Sequence, residues 1–271
     1  MATTASLDDS RRWWGEHSLP QGEWHRWRIG SLTLWIKRLE SEWRLAWLEE
    51  EGEEDRPDLP EVNRPAPDGP PEAATLERVV SRHLGERLIV SPRLADRCVV
   101  TRPETRFRLA AHGEVELYVG TLLWMHLATV EPDQELLDIP TRRPSDTWFG
   151  PSTTDGELCY ASRTAARLRR DHLLTVPHRA VTLVRLRNQA DDDLLLERLN
   201  LPVPNLALFA DARGDLWTQS VSVERGSDGE LAEVRIEADP PAAAAGAERL
   251  AEPRGAVARN VFSRALGALL G

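Results

Sequence analysis

The chain has 271 residues, a formal net charge of -10 and only two cysteines, Cys98 and Cys159. That is long enough to bury a full core without staples, and it excludes a disulfide scaffold and a four-thiolate zinc site. No apolar run approaches the ~18 residues of a membrane span, and MATTASLDDSRRWW has no apolar signal core. These features predict a cytoplasmic protein without a transmembrane segment.

Residues 1–20 read as a polar N-terminal tail, apart from Trp13 and Trp14, which are expected to dock on the body. A β-sandwich-like body is expected over 21–240, and a spacer with a terminal helix over 241–271. Seven of the ten tryptophans precede residue 48. Leu32, Trp35, Ile36, Leu39, Trp43, Ala46 and Trp47 fit a helical face. The same stretch also alternates as two strands, with turns at Gly30-Ser31 and Glu40-Ser41, and periodicity leaves both readings open.

Glu49 to Glu72 carries ten acids, two arginines and six prolines. That composition predicts a long acidic loop over 50–73. It also concentrates most of the negative charge in one place. Thr75 to Leu84 reads as a short helix, with Leu76, Val79 and Val80 on one side. From Arg87 onward the pattern is β. Short alternating runs recur at Leu88, Cys98, Phe107, Val115, Leu122, Leu158, Val181, Leu194, Leu206, Leu216 and Leu231. Tight turns are expected at Asp211–Gly214 and Arg225–Gly229. Many short strands with few helical patterns between them predict an all-β fold, with sandwich halves that are stacked or single. At the end, Val257, Val261, Phe262, Ala265, Leu266 and Leu269 share one face of an amphipathic C-terminal helix. Val257, Val261, Phe262, Leu266 and Leu269 are the candidate docking residues for the chain's own sheet, a protein partner or a second copy. At about 14 residues the helix is too short to cross a bilayer.

Thr147-Trp148-Phe149-Gly150, the turn with Gly156, and Leu158-Cys159-Tyr160 resemble the family catalogued as domain-of-unknown-function family 432. The paired runs Val181–Asn188 and Leu194–Leu201 resemble it too, as does the Gly30–Trp47 region. The resemblance implies an all-β fold and resolves the tryptophan-rich stretch toward strands. It supplies no catalytic residues.

The chemistry-bearing motifs are sparse. There is no phosphate loop, no H-E-x-x-H, no C-x-x-C and no G-x-S-x-G. The seven histidines are scattered, so no metal or cofactor is expected. Cys159 near His172 or His178 is a weak nucleophile candidate, since cysteine is usually buried and inert. Between Arg142 and Arg187 lie nine arginines against four acids. Arg142, Arg143, Arg163, Arg167, Arg169 and Arg170 are the candidate anion-binding residues; the alternatives are a solvated face and a face screened by the acidic loop. Nucleic acid is disfavoured by that loop and by the lack of a known module. The tryptophans fit either a core or a sugar-stacking platform, with core preferred. The expected function is non-catalytic binding or assembly. The alternatives are a hydrolase acting on carbohydrate or phosphate ester, and an accessory protein of a membrane-associated complex.

Overall fold

The computed structural model describes residues 10–50, 58–80, 85–150, 152, 154–227, 232–255 and 260–262. The first strands are β1 (Gly15–Ser18), β2 (Trp24–Ile29), β3 (Leu32–Arg38), β4 (Glu42–Glu49), β5 (Glu61–Pro65) and β6 (Thr75–Val80). The middle of the chain gives β7 (Arg87–Arg93), β8 (Val99–Thr101), β9 (Phe107–Leu109), β10 (Glu114–Leu122), β11 (Trp124–Thr129) and β12 (Gln134–Pro140). Then come β13 (Ser145–Phe149), β14 (Glu157–Ala161), β15 (Arg179–Asn188), β16 (Leu194–Leu196), β17 (Leu199–Leu201) and β18 (Leu208–Ala210). The last are β19 (Leu216–Thr218), β20 (Val221–Arg225), β21 (Ala232–Ile236), β22 (Glu248–Ala251) and β23 (Asn260–Phe262).

The tryptophan-rich stretch is a meander of strands. β2 turns into β3 through Gly30-Ser31, with Ile29 opposite Leu32. Gly30 has φ +58, as the first position of such a two-residue connection requires. A Cβ there would also meet Nδ1 of His178 at 2.8 Å. Alternation buries Trp27 and Ile29 from β2 and Trp43 and Leu45 from β4. β5 and β6 form the edges of this five-stranded sheet, ordered β5-β2-β3-β4-β6.

Four further sheets complete the body: β1-β7-β11-β12, β13-β14-β8-β17, the pair β16-β9, and an eight-stranded sheet. The eight-stranded sheet follows β22-β18-β19-β15-β20-β21-β23, with β10 added on β15. β15 is its hub. It pairs antiparallel with β10 along nine residues and parallel with β19 and β20. A strand enclosed on both faces is mostly apolar at consecutive positions: Ala180, Val181, Leu183 and Val184 are buried, and so is Thr182, whose Oγ1 lies 2.8 Å from Thr218 Oγ1. One continuous core runs from Trp13 to Val234 and takes side chains from all five sheets. The all-β class therefore holds, while the expected pair of sheets is divided into five.

Several expectations are corrected. The N-terminal tail contributes a strand, since β1 pairs with β7, while Trp13 docks as expected: it is fully buried and its Nε1 donates to Pro177 O at 2.9 Å. Within the acidic loop, β5 pairs with β2, because Arg26 reaches Glu61 at 2.6 Å and Asn63 Oδ1 lies 2.6 Å from His25 Nδ1. Thr75–Val80 is a strand rather than the start of a helix; β4 offers it a ladder from Glu42 to Trp47. The alanine spacer holds a short 3-10 turn, Ala242–Ala244, whose Ala244 packs with Trp217, Val181 and Leu173. The C-terminal helix expected from Val257 to Leu270 is not shown: Asn260–Phe262 within it is a strand that pairs with β21. Val261 and Phe262 thus lie in β23, while Val257, Leu266 and Leu269 fall outside the described residues. The body also extends past residue 240, because β22 pairs with β18.

Candidate functional site

A cleft of about 500 Å³ opens where three sheets meet. That volume suits a small organic ligand. Strand register builds its walls. Trp47 stands opposite Thr75, Leu32 opposite Glu49, Trp124 opposite Pro140, and Asp146 opposite Tyr160. Asp96 and Arg97 enter from the β7–β8 connection, and Arg143 from the β12–β13 connection.

Polar contacts fix these walls. The Tyr160 hydroxyl donates to Asp96 Oδ1 at 2.9 Å. Arg97 reaches Asp146 at 3.2 Å, and its guanidinium sits 5.2 Å from the Tyr160 ring centroid. The Trp124 and Tyr160 rings lie 5.6 Å apart at 35°. Burial and the hydrogen bond to Asp96 raise the Tyr160 phenol above its ordinary value, so it remains a hydroxyl donor. Glu49 accepts the Arg143 backbone N–H at 2.9 Å and faces Arg142 Nε at 3.5 Å. Among the described residues, the Arg143 guanidinium has no carboxylate partner, and it is exposed at the cleft. Behind Trp124, Pro144 and Tyr160 lies a chamber of about 20 Å³, the size for a single water.

The six candidate arginines do not converge. Arg142 and Arg143 meet at Glu49, and Arg163 lines the small chamber. Arg167 pairs with Glu104, and Arg169 with Asp171 at 2.5 Å. Arg170 lies 5.0 Å from the Trp217 ring centroid and 3.8 Å from Asp215. Most of them brace loops and strands, and only Arg143 projects into the cleft unpaired. The contact of Glu49 with Arg142 and Arg143 is the one place where the expected acidic segment is seen on the basic segment; residues 51–57 lie outside the described residues.

Cys159 is enclosed with Val100 and Phe149. Burial pushes its thiol up to about 12, which leaves it protonated and inert. Among the described residues, no group of three or more His, Cys, Asp or Glu side chains is placed to hold a metal ion.

Sequence reading missed both the cleft and a second polar cluster. Ser91 on β7 stands opposite His126 on β11. Ser91 Oγ is 3.0 Å from His126 Nδ1, and Glu135 is 3.2 Å from Nε2. Three residue types used in hydrolysis thus form a chain, but Ser91 does not line the cleft. Strand pairing alone assembles both sites, and no local spacing signals either.

Mostly β sheets with an aromatic-walled cleft between them define the class: a β-rich domain with a preformed ligand-sized opening. Among the described residues, no helix is long and apolar enough to cross a membrane. The profile of the family described as "Protein of unknown function (DUF432)" matches residues 13–269, nearly the whole chain, and the protein belongs to that family. No curated protein and no solved structure matches it.

Proposed function

We propose that the protein is a non-catalytic binding module whose ligand occupies the cleft between Trp47 and Tyr160. The observation that carries this reading is the convergence of four registered strand pairs on one opening, walled by aromatic rings and edged with polar groups. The hydrolase alternative needs a carboxyl poised by burial. Asp96 and Asp146 are exposed, and each carboxylate of the cleft, Glu49 included, already accepts from a neighbour. Two free thiols and no disulfide suit the cytoplasm.

The test is a titration with monosaccharides, nucleosides and amino acids, read on the tryptophan indole N–H signals by NMR. A ligand of the cleft should move Trp47 and Trp124 and leave the enclosed Trp27 and Trp43 in place. Thr75→Trp, which fills the cleft from its edge, should abolish the response. Turnover of any compound, lost in Asp96→Asn or Asp146→Asn, would replace binding with catalysis.

A further inference from the structure

We propose that the cleft takes an acidic oligosaccharide, a chain of sugars bearing carboxylate groups. This rests on the reading of the cleft as a ligand site and adds the class of ligand. The first observation is the surface that continues from it. β13 and β14 pair so that Asp146 is opposite Tyr160 and Trp148 opposite Leu158. Side chains two apart on a strand share a face, so Trp148 and Leu158 extend the Tyr160 side of the cleft by about 7 Å. Both are exposed, Trp148 at 40% and Leu158 at 48%. The Trp148 indole N–H donates to Ser152 O at 2.7 Å, which holds the ring in place. A fixed, exposed indole beside a cleft walled by Trp47 and Tyr160 suits the flat C–H faces of successive sugars.

The second observation is the arrangement of charge. Among the described residues Asp96 receives only the Tyr160 hydroxyl, which leaves its second oxygen for ligand hydroxyls. Asp146 and Glu49 add further acceptors along the wall. Against these stands one guanidinium without a carboxylate partner among the described residues, that of Arg143, whose backbone is pinned by Glu49. A single planar fork matches a carboxylate. A phosphate would concentrate two charges on one fork beside Glu49, whereas the remaining carboxylates of a sugar-acid chain can face solvent, and a neutral sugar makes no use of Arg143. A sugar acid satisfies both the acceptors and the fork.

The experiment compares oligogalacturonate, a neutral cello-oligosaccharide of matched length and inorganic phosphate, by calorimetry and by the same indole signals. Oligogalacturonate should bind about tenfold or more tightly than the neutral chain, the effect of one charge-assisted pair. Arg143→Gln should remove that preference. Trp148→Ala should weaken the oligomer while leaving galacturonate monomer binding unchanged, and its exposed position makes misfolding an unsuitable explanation. Equal binding of the neutral chain, or full affinity in Arg143→Gln, overturns the acidic class. So does displacement of oligogalacturonate by phosphate. If oligogalacturonate leaves Trp47 and Trp124 unmoved while another compound shifts them, the sugar-acid class fails and the cleft reading stands. If nothing shifts them, both fail.

Discussion

At the scale of single residues, one buried and one half-buried histidine set measurable properties. His126 is buried among Ser91, Arg93, Glu135 and Asp138. Burial first, and then Arg93, push its imidazole below the ordinary value near 6.5. Burial does the same to His17, whose ring meets Trp27 edge-on at 5.5 Å. The unfolded chain therefore binds protons that the native one refuses. This stability is fully present above the unfolded value and is lost as pH falls below about 6.5. Urea unfolding between about pH 7.5 and pH 5 should show the decline, and His126→Gln should reduce the slope by up to about one proton. Identical slopes would place the titration elsewhere. Trp13→Ala should cost about 3–5 kcal/mol by the same measurement, since the side chain is fully buried and hydrogen-bonded. A loss under about 1 kcal/mol would show that the segment is not packed in solution. That Trp13 docks was legible from the cost of exposing paired indoles. The depressed histidines were not, because their neighbours sit on other strands and only strand pairing and packing bring them together.

At the scale of elements, the clearest divergence from the sequence pattern lies on the two edges of the five-stranded sheet. In β6, Leu76, Val79 and Val80 match a helical stripe, and the segment pairs as a strand because β4 presents an open ladder. Short apolar runs are ambiguous in this way, and pairing partners decide them. β5 forms where composition predicts only loop. Its register against β2 shifts between Arg26 and Arg28, and Asn63 adopts φ +50. Asparagine tolerates that left-handed geometry, and a β-branched residue does not. Asn63→Val should cost about 1–2 kcal/mol and speed cleavage after Glu61 by a Glu-specific protease. Asn63→Asp, which keeps an acceptor for His25, should change little. Equal cleavage in the two variants would show that β5 does not depend on this residue. The Gly30-Ser31 and Glu40-Ser41 turns belonged to one of two readings that alternation left open, and the family resemblance selected it.

At the scale of the whole molecule, the all-β class was legible from the series of short runs. The five-sheet division was not, because β8 with β14 and β15 with β19 and β20 pair in parallel across long connections. Periodicity carries no information about such partners. The same holds for the cleft, which exists only once three sheets are in register. Arg254 shows how distant parts are fastened. It bonds Leu94 O at 2.6 Å and Asp138 Oδ1 at 2.9 Å, just beyond β22 of the eight-stranded sheet. It thereby ties that sheet to β12. Arg254→Ala should lower stability by about 2 kcal/mol. Because one core serves every sheet, unfolding should remain a single transition by far-UV and near-UV circular dichroism. Two separated transitions would mean that the sheets form independent units.

The enclosed indoles also give the molecule an optical identity. Trp13, Trp27 and Trp43 are all shut away from solvent, and the N–H groups of Trp27 and Trp43 have no hydrogen-bond partner among the described residues. Ring dipoles in such dry surroundings relax little after excitation. The native protein should therefore emit toward the blue, with a marked red shift on unfolding. Trp27, touching His17, makes that emission a gauge of protonation at one chosen point in the core.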